Sequence, residues 1–254
     1  MGIAIGRGKA ARWLDDLARS GAKLTRLNRN FRNAPQVFKV AYCFAEAAFS
    51  DQKAVTAANK LSRNAPVVFE GASGILRVQS LDERDLDYDS PAINEDIACL
   101  LGAAVEEELD SLAGREEPID LLVLVPDTGS VALEQMKLAL RLVKQRRGVD
   151  HIDYTQDDMR RAIPPNEKIR LCTFHSSRGL EAARVLIYGI ERIEYLADRV
   201  DADFRKLGFI ILSRAKADTL VIRRLFDATA APFIEKSVVA VNNAANREAS
   251  DTEA

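Results

Sequence analysis

Apolar residues fall into two kinds of pattern along this chain. Short, mostly apolar runs at 119–125 (IDLLVLV), 169–174 (IRLCTF) and 183–188 (ARVLIY) have no 3.6-residue rhythm and are too short for stable helices. Such runs read as strands buried on both faces, which is the habit of parallel sheets. Weaker strand signals sit at 23–27, 75–78 and 219–223. Between them the apolar positions adopt helical spacing. Val37, Val40, Ala41 and Phe44 mark a helix over 36–49, with Pro35 in its first turn. Leu133, Met136, Leu140 and Val143 mark another over 131–144. Further helices are predicted at 10–18, 52–61 and 197–211, and a long one from Ser90, acting as its cap, through about Leu112. Residues 150–166 read as a short connection with at most one helical turn, and 81–90 as an acidic loop.

Strand and helix signals alternate. That order predicts an α/β fold, a doubly wound parallel sheet with helices on both faces. In such folds ligands bind where loops leave the sheet.

One loop stands out for its chemistry. At the end of the run 169–174 and before the run 183–188 lie Thr173, His175, Ser176, Ser177, Arg178, Gly179 and Glu181. Hydroxyl donors, a guanidinium and a glycine that tolerates close backbone approach suit oxyanions. The chain has only two histidines, and one of them is here.

The segment Thr173-Phe174-His175-Ser176-Ser177-Arg178-Gly179-Leu180-Glu181 resembles motif V of the UvrD/Rep-like superfamily 1 DNA helicases, roughly Thr-x-His-x-Ser/Ala-Lys-Gly-Leu-Glu. Leu27-Asn28-Arg29-Asn30-Phe31-Arg32 resembles motif IV, and Arg205-Lys206-Leu207 through Ser213-Arg214-Ala215 resembles motif VI. Order and spacing agree from about Arg7 to Arg224. The resemblance implies a RecA-like fold of the P-loop NTPase type without its own P-loop: the second motor domain of an ATP-driven, 3′ to 5′ DNA helicase. It divides the chain into 1–22, a remnant of the motif III region; 23–235, the RecA-like domain; and 236–254, a polar disordered tail.

The resemblance also implies roles. Arg32 and Arg214 would be catalytic, steadying charge on the γ-phosphate. Phe31 would stack on adenine, while Gly179 and Glu181 would complete the ATP site. Thr173, His175 and Ser176 would meet the backbone of single-stranded DNA. Each has a plainer alternative. The arginines could be surface partners of acids, Phe31 a core residue, Glu181 half of a salt bridge, and His175 an inert solvated group. Arg178 stands where the family has lysine, and Ala182 where it has a bulky aromatic, a change expected to loosen packing.

Composition limits the reading further. The 254 residues carry 36 basic and 38 acidic side chains, a net charge of −2, so bulk charge does not drive nucleic-acid binding. Distribution matters more: residues 7–39 are mostly basic, and 82–120 mostly acidic. Cys43, Cys99 and Cys172 are far apart in apolar settings and read as buried free thiols of a cytoplasmic protein. No apolar run approaches the ~20 residues of a membrane span.

The Gly6-Arg7-Gly8-Lys9 segment is not a P-loop. Ile3 stands where the first glycine should, and Ala10 where Ser or Thr should hold magnesium. The sequence shows no acid of the magnesium-binding type after a strand. The expected reading is half of an ATPase site, with ATP and Mg²⁺ held by an N-terminal RecA-like domain in cis or in trans, and no hydrolysis by this chain alone. The rival reading is a non-catalytic module that keeps the fold and binds DNA or a protein.

Overall fold

The computed structural model describes residues 33–45, 58, 74, 76–81, 92–112, 119–156, 168–201, 203–223, 234–239 and 241–243. Phe31 and Arg32, the basic segment 7–32, the strand expected at 23–27 and the helices expected at 10–18 and 52–61 lie outside these residues, apart from Ala58.

Among the described residues, six strands form one sheet: β1 (Leu76–Ser80), β2 (Leu121–Val125), β3 (His151–Asp153), β4 (Ile169–Thr173), β5 (Ala182–Tyr188) and β6 (Ala215–Arg223). Their order is β1-β6-β5-β2-β4-β3, and every pairing is parallel. The apolar runs supply the middle. All side chains of β2, β4 and β5 are buried. The expected doubly wound α/β architecture is therefore the one formed.

Alternation along each strand divides the core into two layers. On one face, Leu122, Leu124, Cys172, Val185, Ile187 and Val221 pack under α1 (Pro35–Ala45), α4 (Ile193–Asp198) and α5 (Phe204–Leu212). On the other, Leu121, Val123, Leu171, Leu186 and Leu220 pack under α2 (Ile93–Asp110) and α3 (Val131–Arg147). On the first face, α5 packs against α1 at Gly208, where a Cβ would run into the Phe44 ring.

Local chemistry sets the element ends. Ser130 caps α3, its Oγ accepting from Leu133 N, and Gly148 ends the helix with φ +69°. Expectation and structure part at five places. The long acidic helix starts at Ile93, after Ala92, which offers no side-chain cap; Ser90 lies outside the described residues. Glu95 and Asp96 in its first turn favour that end electrostatically. Residues 150–166 contain a strand, β3, because three residues suffice to pair beside β4. The helix expected at 197–211 is broken: α4 begins earlier, at Ile193, and ends at Asp198, and α5 begins only at Phe204. Asp201, at φ +47°, interrupts it, and Asp203 starts α5 anew by accepting from Arg205 N. Cys99 is exposed on α2, whereas Cys43 and Cys172 are buried as expected; burial pushes the Cys172 thiol up to about 12. Finally, helical backbone at 234–239 and 241–243 reaches into the segment expected to be disordered, because Ile234 and Val241 join the core.

Among the described residues, no helix is long and apolar enough to cross a membrane.

Candidate functional site

The segment after β4 makes an unusual passage. Thr173 pairs with Val125 at the carboxyl end of β2, whereas Leu121 at its amino end pairs with Arg184. Residues 174–181 must therefore carry the chain the full length of β2, roughly 16 Å for five strand residues. Parallel strands are usually joined by a dozen or more residues including a helix. Here eight suffice, because turns fill 174–179 and the link lies against the sheet. Phe174 is buried in the α1 layer and Leu180 packs against it. Ser177 is fully buried, its Oγ donating to Phe174 O at 2.8 Å and its N–H to Thr173 O at 3.0 Å. Gly179 takes φ +85°, and a Cβ there would meet nothing within 4 Å, so conformation alone favours glycine.

The link has chemistry at both ends. At the carboxyl end, Thr173 and Ser176 close on each other. Their hydroxyls lie 2.7 Å apart, Thr173 N–H donates to Ser176 Oγ at 3.0 Å, and Ser176 N–H donates to Thr173 Oγ1 at 3.2 Å. His175 is half-buried, with its Nδ1 3.5 Å from an Arg178 guanidinium nitrogen. Burial, then the Arg178 charge, holds the imidazole below its ordinary range, against the opposing pull of Asp127. It is the neutral ring, donor on one side and acceptor on the other, that stands at this edge near neutral pH. Asp127 belongs to the turn after β2, where its Oδ1 accepts from Gly129 N–H at 2.9 Å. Its Oδ2 lies 3.6 Å from Arg192, in the turn after β5. The carboxyl ends of β2, β4 and β5 thus share one rim.

At the amino end stand Glu181 and Arg214. Glu181 Oε1 lies 3.1 Å from Lys216 Nζ, so the salt-bridge alternative for this residue is realised. Arg214, between α5 and β6, is buried. Its Nε donates to Ile210 O at 2.7 Å and its Nη1 to Leu180 O at 3.2 Å, while its own carbonyl accepts from Ala182 N–H at 3.2 Å. Arg214 and Glu181 are neighbours, and both are remote from Thr173, His175 and Ser176. Beneath them Arg170 Nη1 donates to Glu181 O at 3.1 Å, and Arg170 pairs with Asp120, which also accepts from Ala183 N–H at 2.8 Å.

Sequence reasoning missed Asn33 here. Its buried amide donates to Ser213 O at 2.8 Å and Ala215 O at 2.5 Å, the carbonyls on either side of Arg214, and Ala34 N–H donates to Lys216 O at 2.7 Å. The one available signal was its position, directly after Arg32. An asparagine before Pro35 reads from sequence as a helix-entry residue. Ala182, expected to loosen packing, is fully buried in the core.

No family model matches the sequence, and no curated protein is significantly similar to it. Among solved structures, the chain is similar to the C-terminal domain of a possible DNA helicase from Lactobacillus plantarum WCFS1. The identity is 13% and the TM-score 0.38, with 54% of this chain and 74% of that chain covered. Among the described residues, no group of three or more His, Cys, Asp and Glu side chains is arranged to hold a metal ion.

Proposed function

We propose that this chain acts as the second RecA-like motor domain of a UvrD/Rep-like, ATP-dependent 3′ to 5′ DNA helicase. One observation carries the reading. The eight-residue link 174–181 separates two sets of candidate residues by the length of β2, with Glu181 and Arg214 at one end and Thr173, His175 and Ser176 at the other. A motor domain needs such a division. One edge must complete a nucleotide site while the other grips a strand, and a short rigid link between them transmits movement.

At the amino edge, Arg214 would supply positive charge to the γ-phosphate and Glu181 would accept from the ribose hydroxyls after releasing Lys216. Arg32 is one residue from Asn33, whose amide brackets Arg214, which supports joint action of the two arginines. Phe31 would stack on the adenine. The β- and γ-phosphates and Mg²⁺ would sit on a separate RecA-like domain, because this sequence has no G-x-x-x-x-G-K-S/T loop. At the carboxyl edge, the hydroxyls of Thr173 and Ser176 and the neutral imidazole would bind phosphate oxygens without reading sequence.

A second reading, a non-catalytic DNA- or protein-binding module, is favoured by the closed state of these groups. Thr173 already bonds Ser176, and Glu181 already pairs with Lys216.

The deciding experiment is ATPase reconstitution. The chain alone with single-stranded DNA is expected to give no turnover. A separately expressed first motor domain is expected to gain activity from the wild-type chain. Arg214→Ala should reduce that gain by about a thousand-fold or more, the usual worth of an arginine at the γ-phosphate. Brisk turnover by the chain alone, or full stimulation by a folded Arg214→Ala chain, would overturn the reading.

A further inference from the structure

The segment leaving β5 carries a group that no motif accounts for. Tyr195, on α4, is 53% exposed, although α4 otherwise buries Ile193, Leu196 and Ala197. Two guanidiniums lie over its ring, Arg192 at 5.1 Å and Arg199 at 5.8 Å from the centroid. These cation–π contacts restrain the ring, and about half of the residue's surface stays exposed. Arg192 also reaches Asp127, whose charge is felt by His175, so the Tyr195 group belongs to the same carboxyl rim.

We infer that Tyr195, held by Arg192 and Arg199, is a stacking platform for a base of single-stranded nucleic acid crossing this rim. The inference rests on the DNA-binding part of the proposed function and adds residues to it. Two physical points carry it. A fixed, exposed ring loses little conformational entropy when a base stacks on it. Arg178 and Arg199 are exposed and have no carboxylate partner among the described residues, so both are available to a phosphate.

The same segment also holds Glu191, Glu194, Asp198 and Asp201. These acids outnumber its two arginines, so net phosphate attraction is weak there. Stacking, not charge, is then the dominant contribution, which makes the inference specific: the platform needs a base, not merely a backbone.

The test is fluorescence anisotropy of the full chain with a labelled oligothymidylate and with an abasic oligonucleotide of equal length. Tyr195→Ala should weaken oligothymidylate binding by about ten-fold or more, in line with a lost base stack. Tyr195→Phe should restore it, and binding to the abasic strand should be the same for all three chains. Unchanged oligothymidylate binding by Tyr195→Ala, alongside a loss in Thr173→Ala, would overturn this inference and leave the proposed function standing. Equal losses on both oligonucleotides would overturn it too, because the effect would then not depend on a base. Absence of any binding by the wild-type chain would overturn this inference and the DNA-binding role together.

Discussion

Asn33 brackets Arg214: a single side-chain amide donates to the carbonyls of Ser213 and Ala215, and thereby fixes the backbone from which the arginine projects. The two residues are some 180 positions apart in the chain. Replacing Asn33 by Ala removes both bonds at a buried place, and is expected to destabilise the fold by about 1–3 kcal/mol. Urea unfolding of the purified chain measures this. Stability equal to wild type would mean that the carbonyls find other partners and that the bracket is dispensable. Asn33→Asp should be no better than Ala, because a carboxylate would face carbonyl oxygens without a donor.

Gly208 sits where α5 crosses α1. The clash of its would-be Cβ is with an aromatic ring buried on every side, Phe44, and not with a flexible chain end. Gly208→Ala should therefore destabilise by about 1–3 kcal/mol despite alanine's better helix propensity. A second substitution, Phe44→Leu, should recover part of the loss by making room. Thermal melts of the single and double variants test the pair, and additive losses would show that the two sites are not in conflict.

A buried charge cluster ties β5 and β6 to α2. Arg184 lies 3.0 Å from Glu108 and 3.1 Å from Asp218, and Arg77 also pairs with Glu108. Arg184, Glu108 and Asp218 are all nearly inaccessible to solvent. Glu108→Ala would leave a buried guanidinium with one acid in place of two, at a cost of about 3–5 kcal/mol. Chemical denaturation should show this as a lower midpoint with an unchanged slope. A change below about 1 kcal/mol would mean that water reaches Arg184 once the acid is gone.

Acidity should weaken the fold through its histidines. His151 and His175 are both held below their ordinary range, chiefly by burial. The unfolded chain therefore binds more protons than the folded one as pH falls through about 6.5. Stability is full above that value and declines as pH drops toward the lowered folded-state values. Asp150, Asp153 and Asp203 are shifted down as well, so their contribution is lost only at the lower pH of carboxylate titration. Melting temperatures between pH 7.5 and 5 should fall for wild type and fall less for the His151→Gln, His175→Gln double variant. Equal slopes would refute the assignment.

The amino-acid sequence alone determined the middle of the sheet and the kind of fold. Residues 121–125 are apolar without interruption, 169–173 and 182–188 are apolar but for Arg170, Thr173 and Arg184, and strands buried on both faces take such sequences. Helices α1 and α3 were legible from 3.6-residue spacing, whereas α4 lies mostly before the helix expected at 197–211. Elements at the margin were less so. β3 is three residues long and carries no apolar run, and the break at Asp201 lies inside an otherwise periodic stretch. The candidate loop was visible from composition, since hydroxyls, a histidine and an arginine cluster between two apolar runs. Only the tertiary structure decided how that loop is used. Register puts Thr173 and Glu181, eight positions apart, at opposite ends of β2, while chain crossing brings Asn33, Arg214 and Lys216 to one place. Periodicity records which face a side chain takes. It does not record which distant segment arrives to meet it, because that depends on strand order and register, and these are settled by packing of the whole sheet.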